Sequence, residues 1–275
     1  YDFSRHEDLA RCFSDSGEID WCVNCVAYTD TKAAEETAVG KHGSWKMNAL
    51  FPGYVAEECA SRGVKAVHIS TDYVFSQMSS ARRDFLRPES RPFPVNRYGM
   101  DKYAGELAFR QGFAADSSSC AVLRTSWLYG AAGKKSFVHK FLKAAVSAAR
   151  SGKKAEMTSD EESVPTSVSF LSGRVIDVIR GGMRGVLHAV PAADKPVSRV
   201  RFAKEILRAA LPFFGSEFSA FSDPEKFVVG VRRPDKLQPA FSAMASDWPG
   251  GSDWLSDLRE FIAREGRDLA ECAVR

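Results

Sequence analysis

Tyr98 and Lys102 stand four residues apart in the segment Asn96-Arg97-Tyr98-Gly99-Met100-Asp101-Lys102. On a helix, positions i and i+4 share one face, with Cβ atoms about 5–6 Å apart. A phenol ordinarily titrates near pH ~10, too high to exchange protons readily at neutrality. A cation within ~4–6 Å favours the phenolate and brings that value down. Such a pair can act as a proton donor or acceptor near neutral pH. The competing explanation is an exposed helical face that carries both residues by coincidence, since this spacing arises readily. The upstream segment Ser70-Thr71-Asp72-Tyr73-Val74-Phe75 adds a second hydroxyl and a carboxylate, and together they read as a hydroxyl-based acid/base site.

Those residues need elements to hold them. Apolar runs at 19–29, 64–70 and 120–126 read as strands, and the periodicity at 44–61, 97–111 and 136–151 reads as helices, with a short helix at 8–13. Pro52 should kink the helix at 44–61 or delay its start. Strands separated by helices of this length imply βαβ units and a parallel sheet, an α/β fold. Ligands of such sheets bind beyond the carboxyl ends of the strands. Three segments fall there: Ala27-Tyr28-Thr29, Ser70 to Tyr73, and Thr125-Ser126-Trp127-Leu128-Tyr129-Gly130. After Gly152 the pattern loosens into helices at 167–180, 198–211 and 253–264 and a strand at 185–190, with Ser198 as an N-cap. The division expected is residues 1–152 for one domain and 153–275 for a smaller region covering the cleft, some of whose elements pack back on the sheet.

Other motifs point nowhere specific. The run from Gly130 to Ser136 has the wrong spacing for a phosphate loop, and the glycines at 181, 182 and 185 follow a helix rather than a strand. The five histidines lack metal-ligand spacing, so no metal site is expected. His68, inside a strand, reads as a hydrogen-bonded core residue. Trp127 offers a flat apolar wall or ordinary core packing. Arg232 and Arg233 could grip a phosphorylated substrate.

Composition narrows the class. The chain has 275 residues, 44% hydrophobic and 27% charged, with 38 basic and 35 acidic side chains giving a net charge of +3. That balance makes no case for nucleic acid or an acidic membrane as partner. No apolar run is long enough to cross a bilayer. The six cysteines form no compact framework, which suggests a reduced, cytoplasmic setting. Cys22 and Cys25 share a C-x-x-C spacing, but they sit in an apolar strand without a second pair, and packing is the reading taken for both.

The chain resembles the dTDP-4-dehydrorhamnose reductases, within the extended short-chain dehydrogenase/reductases. The likeness runs from Asp2 to about Ala203. It rests on Asp2-Phe3, Val23-Asn24 leading to Ala27-Tyr28-Thr29, Asn48, Ser70-Thr71-Asp72-Tyr73-Val74-Phe75, Tyr98-Gly99 with Lys102, Gly105-Glu106, Arg124-Thr125-Ser126-Trp127, Pro165-Thr166 and Arg233-Pro234. The resemblance implies a Rossmann-type doubly wound parallel sheet with a smaller substrate domain. It implies reduction of a 4-keto-6-deoxy sugar nucleotide with NADPH or NADH, dTDP-4-dehydrorhamnose to dTDP-L-rhamnose being the type case. By position, Asp2, Phe3, Ala27, Tyr28, Thr29, Tyr98 and Lys102 would bind the cofactor. Thr71, Asp72 and Trp127 would contact the nucleotide-sugar substrate, and Tyr98, Lys102 and Thr71 would be catalytic.

The family's first strand, Gly-rich turn and helix have no counterpart here, so a missing first βα segment, an N-terminal truncation, is expected. Lys32, Glu161, Ser163 and Ser167 stand where the family has Asp, Gln, Gly and Tyr. Two other functions share these motifs. One is a non-catalytic regulatory subunit resembling the methionine adenosyltransferase β subunit, which would bind a synthetase. The other is a sugar-nucleotide epimerase. The resemblance leaves a homodimer open.

Overall fold

The computed structural model describes residues 1–3, 5–76, 84–131, 136–233, 237–248 and 250–275. Four strands run parallel and pair in chain order: β1 (Trp21–Asn24), β2 (Lys65–Thr71), β3 (Cys120–Thr125) and β4 (Gly185–His188). The register sets Asn24 beside His68 and Thr71 beside Thr125, so the strand ends lie along one edge. Every residue of β3 is buried, as expected for a strand covered on both faces.

Alternation along β2 and β3 feeds two clusters on opposite faces. On one side Ala66, Cys120 and Val122 meet helices α1 (His6–Asp15), α2 (Phe51–Ser61) and α3 (Arg97–Gly112) through Leu9, Phe51, Val55 and Phe109. On the other, Val67, Ala121 and Leu123 meet Leu171 and Val178 of α5 (Val168–Gly181). The largest cluster joins α4 (Phe137–Arg150), α6 (Arg199–Ala210) and α7 (Trp254–Val274) around Phe141, Phe202, Leu207 and Phe261. Beside α6, Val228–Val231 pairs in parallel with Ala155–Thr158. The doubly wound α/β architecture is therefore present. Among the described residues no helix is long and apolar enough to cross a membrane.

Several bounds differ from the sequence reading. β1 stops at Asn24 instead of running to residue 29, because the Asn24 Oδ1 accepts from the Val26 N–H at 3.1 Å and turns the backbone aside. Asn48 then takes both backbone groups of Tyr28, at 2.9 Å each. The helix expected at 44–61 opens with a π-helical stretch, Trp45–Leu50, before α2. Pro52 falls in the first turn of α2, where a missing donor is tolerated. The helix expected to end at 264 continues to Val274.

Candidate active site

A cavity of about 320 Å³ opens beyond the strand ends. Cys25, Ala27 and Thr29 follow β1; Thr71, Asp72 and Tyr73 close β2; Ser126 and Trp127 follow β3. Helix α3 adds Tyr98 and Lys102, and α6 adds Arg199. A larger hollow of about 440 Å³ shares Leu128 with it, but its walls hold none of Tyr98, Lys102 and Thr71. The smaller one is the candidate site.

Helix α3 is set against the sheet by close contacts. The Asn96 Oδ1 accepts from the Gly99 N–H at 2.8 Å and caps the helix. A Cβ on Gly99 would lie 2.3 Å from the Tyr73 carbonyl oxygen, and one on Gly105 would lie 1.9 Å from that of Asn48. Glycine at these two positions lets α3 touch the turn after β2 and the π-helical stretch. One turn beyond Lys102, Glu106 accepts from Arg124 of β3 through Nη2 at 2.7 Å and Nε at 3.0 Å, both side chains being buried.

The Tyr98 ring stands edge-on to that of Tyr73, with centroids 5.4 Å apart. Burial pushes its phenol up to about 12, interaction with the Thr71 hydroxyl draws it down, and Asp72 pushes it up again. This corrects the expectation that Lys102 would lower it. The Lys102 Nζ instead donates to the Ile69 carbonyl at 2.7 Å and faces the His68 Nε2 at 3.3 Å. Burial brings the Lys102 amine down to about 8, against opposing pulls from Glu106 and Cys25. His68 is fully enclosed, and burial followed by the Lys102 charge holds its imidazole well below the usual range.

Asp72 is less available to a ligand than the resemblance implies. Its Oδ2 accepts from Ser163 at 2.8 Å and Ser242 at 2.6 Å, and its Oδ1 from Thr71 at 3.2 Å. Burial raises its carboxyl, and these hydroxyls together with Arg199 oppose the shift. Ser163, where the resemblance implies a Gly, is thus one of the groups that fix Asp72.

Trp127 holds a left-handed backbone with φ of 43°, uncommon for a bulky residue. Its ring lies against Phe202, centroids 6.3 Å apart, and under the guanidinium of Arg199, 3.5 Å from its centroid.

Of the residues named from sequence, the cavity brings together Ala27, Thr29, Thr71, Asp72, Tyr98, Lys102 and Trp127. It does not bring in Asp2, Phe3 or Tyr28. The Asp2 N–H donates to Asp8 at 2.8 Å, the Phe3 ring packs 5.7 Å from Phe51, and the Tyr28 backbone is tied to Asn48. Cys22 does pack, in the cluster with Cys59. Cys25 does not: β1 has ended, and its exposed thiol lines the cavity. Arg199 went unnoticed in the sequence, where its only local signal is the N-cap Ser198 before it. The glycine–lysine stretch at 133–135 and Pro234 lie outside the described residues. Arg232 and Arg233 are exposed and do not line the cavity, and Arg233 sits 3.8 Å from Glu156.

The family model of the RmlD substrate-binding domain matches residues 1–265. The dTDP-4-dehydrorhamnose reductase of Mycolicibacterium smegmatis is 33% identical over 187 residues, 68% of this chain and 53% of that protein. Its counterpart in Mycobacterium tuberculosis H37Rv is 33% identical over 195 residues, 68% of this chain and 58% of that protein. The chain thus spans a little over half the length of these relatives. A probable dTDP-4,6-dihydroxy-2-methyloxan-3-one 4-ketoreductase of Streptomyces antibioticus is 31% identical over 254 residues, 86% of this chain and 75% of the relative. The solved structure of a dTDP-4-dehydrorhamnose reductase from Bacillus anthracis in complex with NADP shares the fold, with a TM-score of 0.78 at 23% identity over 96% of this chain and 86% of that one.

Proposed function

This chain belongs to the RmlD substrate-binding domain family, and from that premise we propose that it reduces a 4-keto-6-deoxy sugar nucleotide with NAD(P)H, in the manner of dTDP-4-dehydrorhamnose to dTDP-L-rhamnose. The observation that carries this reading is a single cavity lined by the Tyr98 phenol, the Thr71 hydroxyl and the Lys102 amine. The relatives' names support the reaction class.

The cavity suits a nicotinamide cofactor on its β1 side. Ala27 and Thr29 are small, Lys102 is a buried amine, and all three border the same space as Tyr98. These four residues would hold it, and the cofactor when bound supplies hydride to the ketone carbon. The chain's own residues handle the oxygen. Negative charge grows there as hydride arrives, and hydroxyl donors stabilise it. Tyr98 gives up its proton to that oxygen, and Thr71, whose hydroxyl donates to Asp72 at rest, would turn its hydrogen to the same atom. A phenol titrating near 12 keeps its proton until charge develops, which suits an acid better than a base. Lys102, one turn along α3, would help hold the cofactor, in the manner of the resemblance, through its ribose. Asp72, tied by three hydroxyls, positions Thr71.

Under this reading residues 1–152 serve the cofactor and 153–275 the substrate, with Trp127 as a wall for the sugar. The six unpaired cysteines support a cytoplasmic enzyme. The test is NADPH and NADH oxidation by the protein with dTDP-4-keto-6-deoxy sugars. Consumption dependent on the keto sugar supports the proposal. Tight cofactor binding without net consumption, or inertness toward every keto sugar nucleotide, overturns it.

A further inference from the structure

We propose that Arg199 grips the phosphate oxygens of the nucleotide substrate, its guanidinium presented to the cavity by an aromatic clamp and one carboxylate. The proposal rests on the nucleotide-sugar reading above and adds a residue that the resemblance does not assign.

Arg199 opens α6, where the Ser198 Oγ caps the helix by accepting from the Arg201 N–H at 3.1 Å. Its backbone N–H donates to the Glu161 carbonyl at 3.2 Å. The guanidinium carbon sits 3.5 Å from the centroid of Trp127 and 4.9 Å from that of Phe137. The Nε donates to the Glu161 Oε2 at 3.1 Å, with side chains 13% and 9% exposed. Both rings and the Nε are therefore committed. The two terminal nitrogens meet no acceptor among the described residues, and the residue borders the cavity.

A guanidinium fixed at its Nε and against two rings has little freedom left to lose on binding. Its two terminal N–H groups form a planar fork that matches two oxygens on one phosphorus. A sugar hydroxyl needs no such fork. Glu161 offsets the positive charge, so the site selects by geometry rather than by attracting any anion. Phosphate could come from the substrate or from the cofactor. The Arg199 charge acts on Asp72 and Tyr73, which follow β2, and its guanidinium stacks on Trp127, whereas the cofactor side is formed by Ala27 and Thr29 after β1. The substrate is therefore the source.

The experiment is calorimetric titration of dTDP, thymidine and NADPH into wild-type protein, Arg199→Lys and Arg199→Gln, with steady-state kinetics and thermal unfolding in parallel. We expect dTDP affinity to fall about 10- to 100-fold in Arg199→Gln, the scale of a charge-assisted hydrogen bond, and less in Arg199→Lys. Thymidine and NADPH should bind as before, and KM should rise more than kcat falls. Unchanged dTDP affinity overturns the proposal while leaving the reductase reading intact. An equal loss of thymidine affinity makes Arg199 a support for Trp127 only, and a loss confined to NADPH moves the phosphate to the cofactor; either result overturns the proposal. If wild-type protein binds no nucleoside diphosphate and reduces no keto sugar, the reductase reading fails and takes this proposal with it.

Discussion

The Lys102 amine faces the ring of His68, with 3.3 Å between Nζ and Nε2. The other ring nitrogen is fixed from behind. Because the Asn24 Oδ1 takes the Val26 N–H, its Nδ2 is turned toward the His68 Nδ1 at 3.1 Å. That amide donates to Nδ1, so the proton of a neutral ring sits on Nε2 and points at Lys102. A donor aimed at an amine favours its neutral form, in the same direction as the burial that brings Lys102 down to about 8.

This gives Lys102 a signed effect on stability. Its value in the folded chain lies below the ordinary 10.5, so between about 8 and 10.5 the unfolded chain binds more protons. Stability therefore rises with pH across that window, and the cost of the buried charge is fully present below it. Urea unfolding of wild type and Lys102→Met, compared inside and below the window, should show the wild type gaining on the variant as pH rises. A constant difference would place the amine in water.

Tyr98 acts in the opposite sense. Its phenol is raised from 10.0 to about 12, so the folded chain keeps a proton that the unfolded chain has lost. Stability from this group is complete below pH 10 and falls as pH climbs through about 12. Absorbance titration of the tyrosinate band should show a late-titrating component that Tyr98→Phe reduces. An unchanged late component in the variant would assign it wholly to other buried tyrosines such as Tyr73.

Glu106 and Arg124 tie α3 to β3 inside the protein. Arg124→Met leaves the buried Glu106 carboxylate without its cation, held only by the Ser70 hydroxyl among these partners, and should cost about 3–5 kcal/mol in chemical unfolding. The double variant with Glu106→Leu should recover much of that loss. A double variant no more stable than the single one would mean that packing, not the unpaired charge, sets the cost.

Gly105→Ala tests the close approach of α3 to the stretch before α2. The added carbon would fall 1.9 Å from the Asn48 carbonyl oxygen, so backbone must move. An overpacking cost of about 1–3 kcal/mol is expected in thermal unfolding, with activity falling alongside because α3 also carries Tyr98 and Lys102. A variant as stable as wild type would show that the helices separate freely.

What was legible in the sequence was what is local. β3 and α3 end within one residue of the positions read from periodicity, and Tyr98 and Lys102 share a helix because their spacing requires it. The cavity at the strand ends followed from the parallel sheet alone. Contacts made across the chain were not legible. Nothing near Asn24 announces that its side chain ends β1 two residues before Val26, or that Asn48 captures Tyr28. Cys25 looked like Cys22 because the strand was read as running past both. Arg199 and Trp127 meet only through the packing of α6 against the chain after β3, and neither carries a local mark of the other.

The most direct test of the central claim is single-turnover reduction of a dTDP-4-keto-6-deoxy sugar, followed by loss of NADPH absorbance, in wild type and Tyr98→Phe. If the phenol delivers the proton, the hydride-transfer step should slow about 10²- to 10⁴-fold while NADPH affinity persists. A variant that transfers hydride at the wild-type rate would remove Tyr98 from the chemistry.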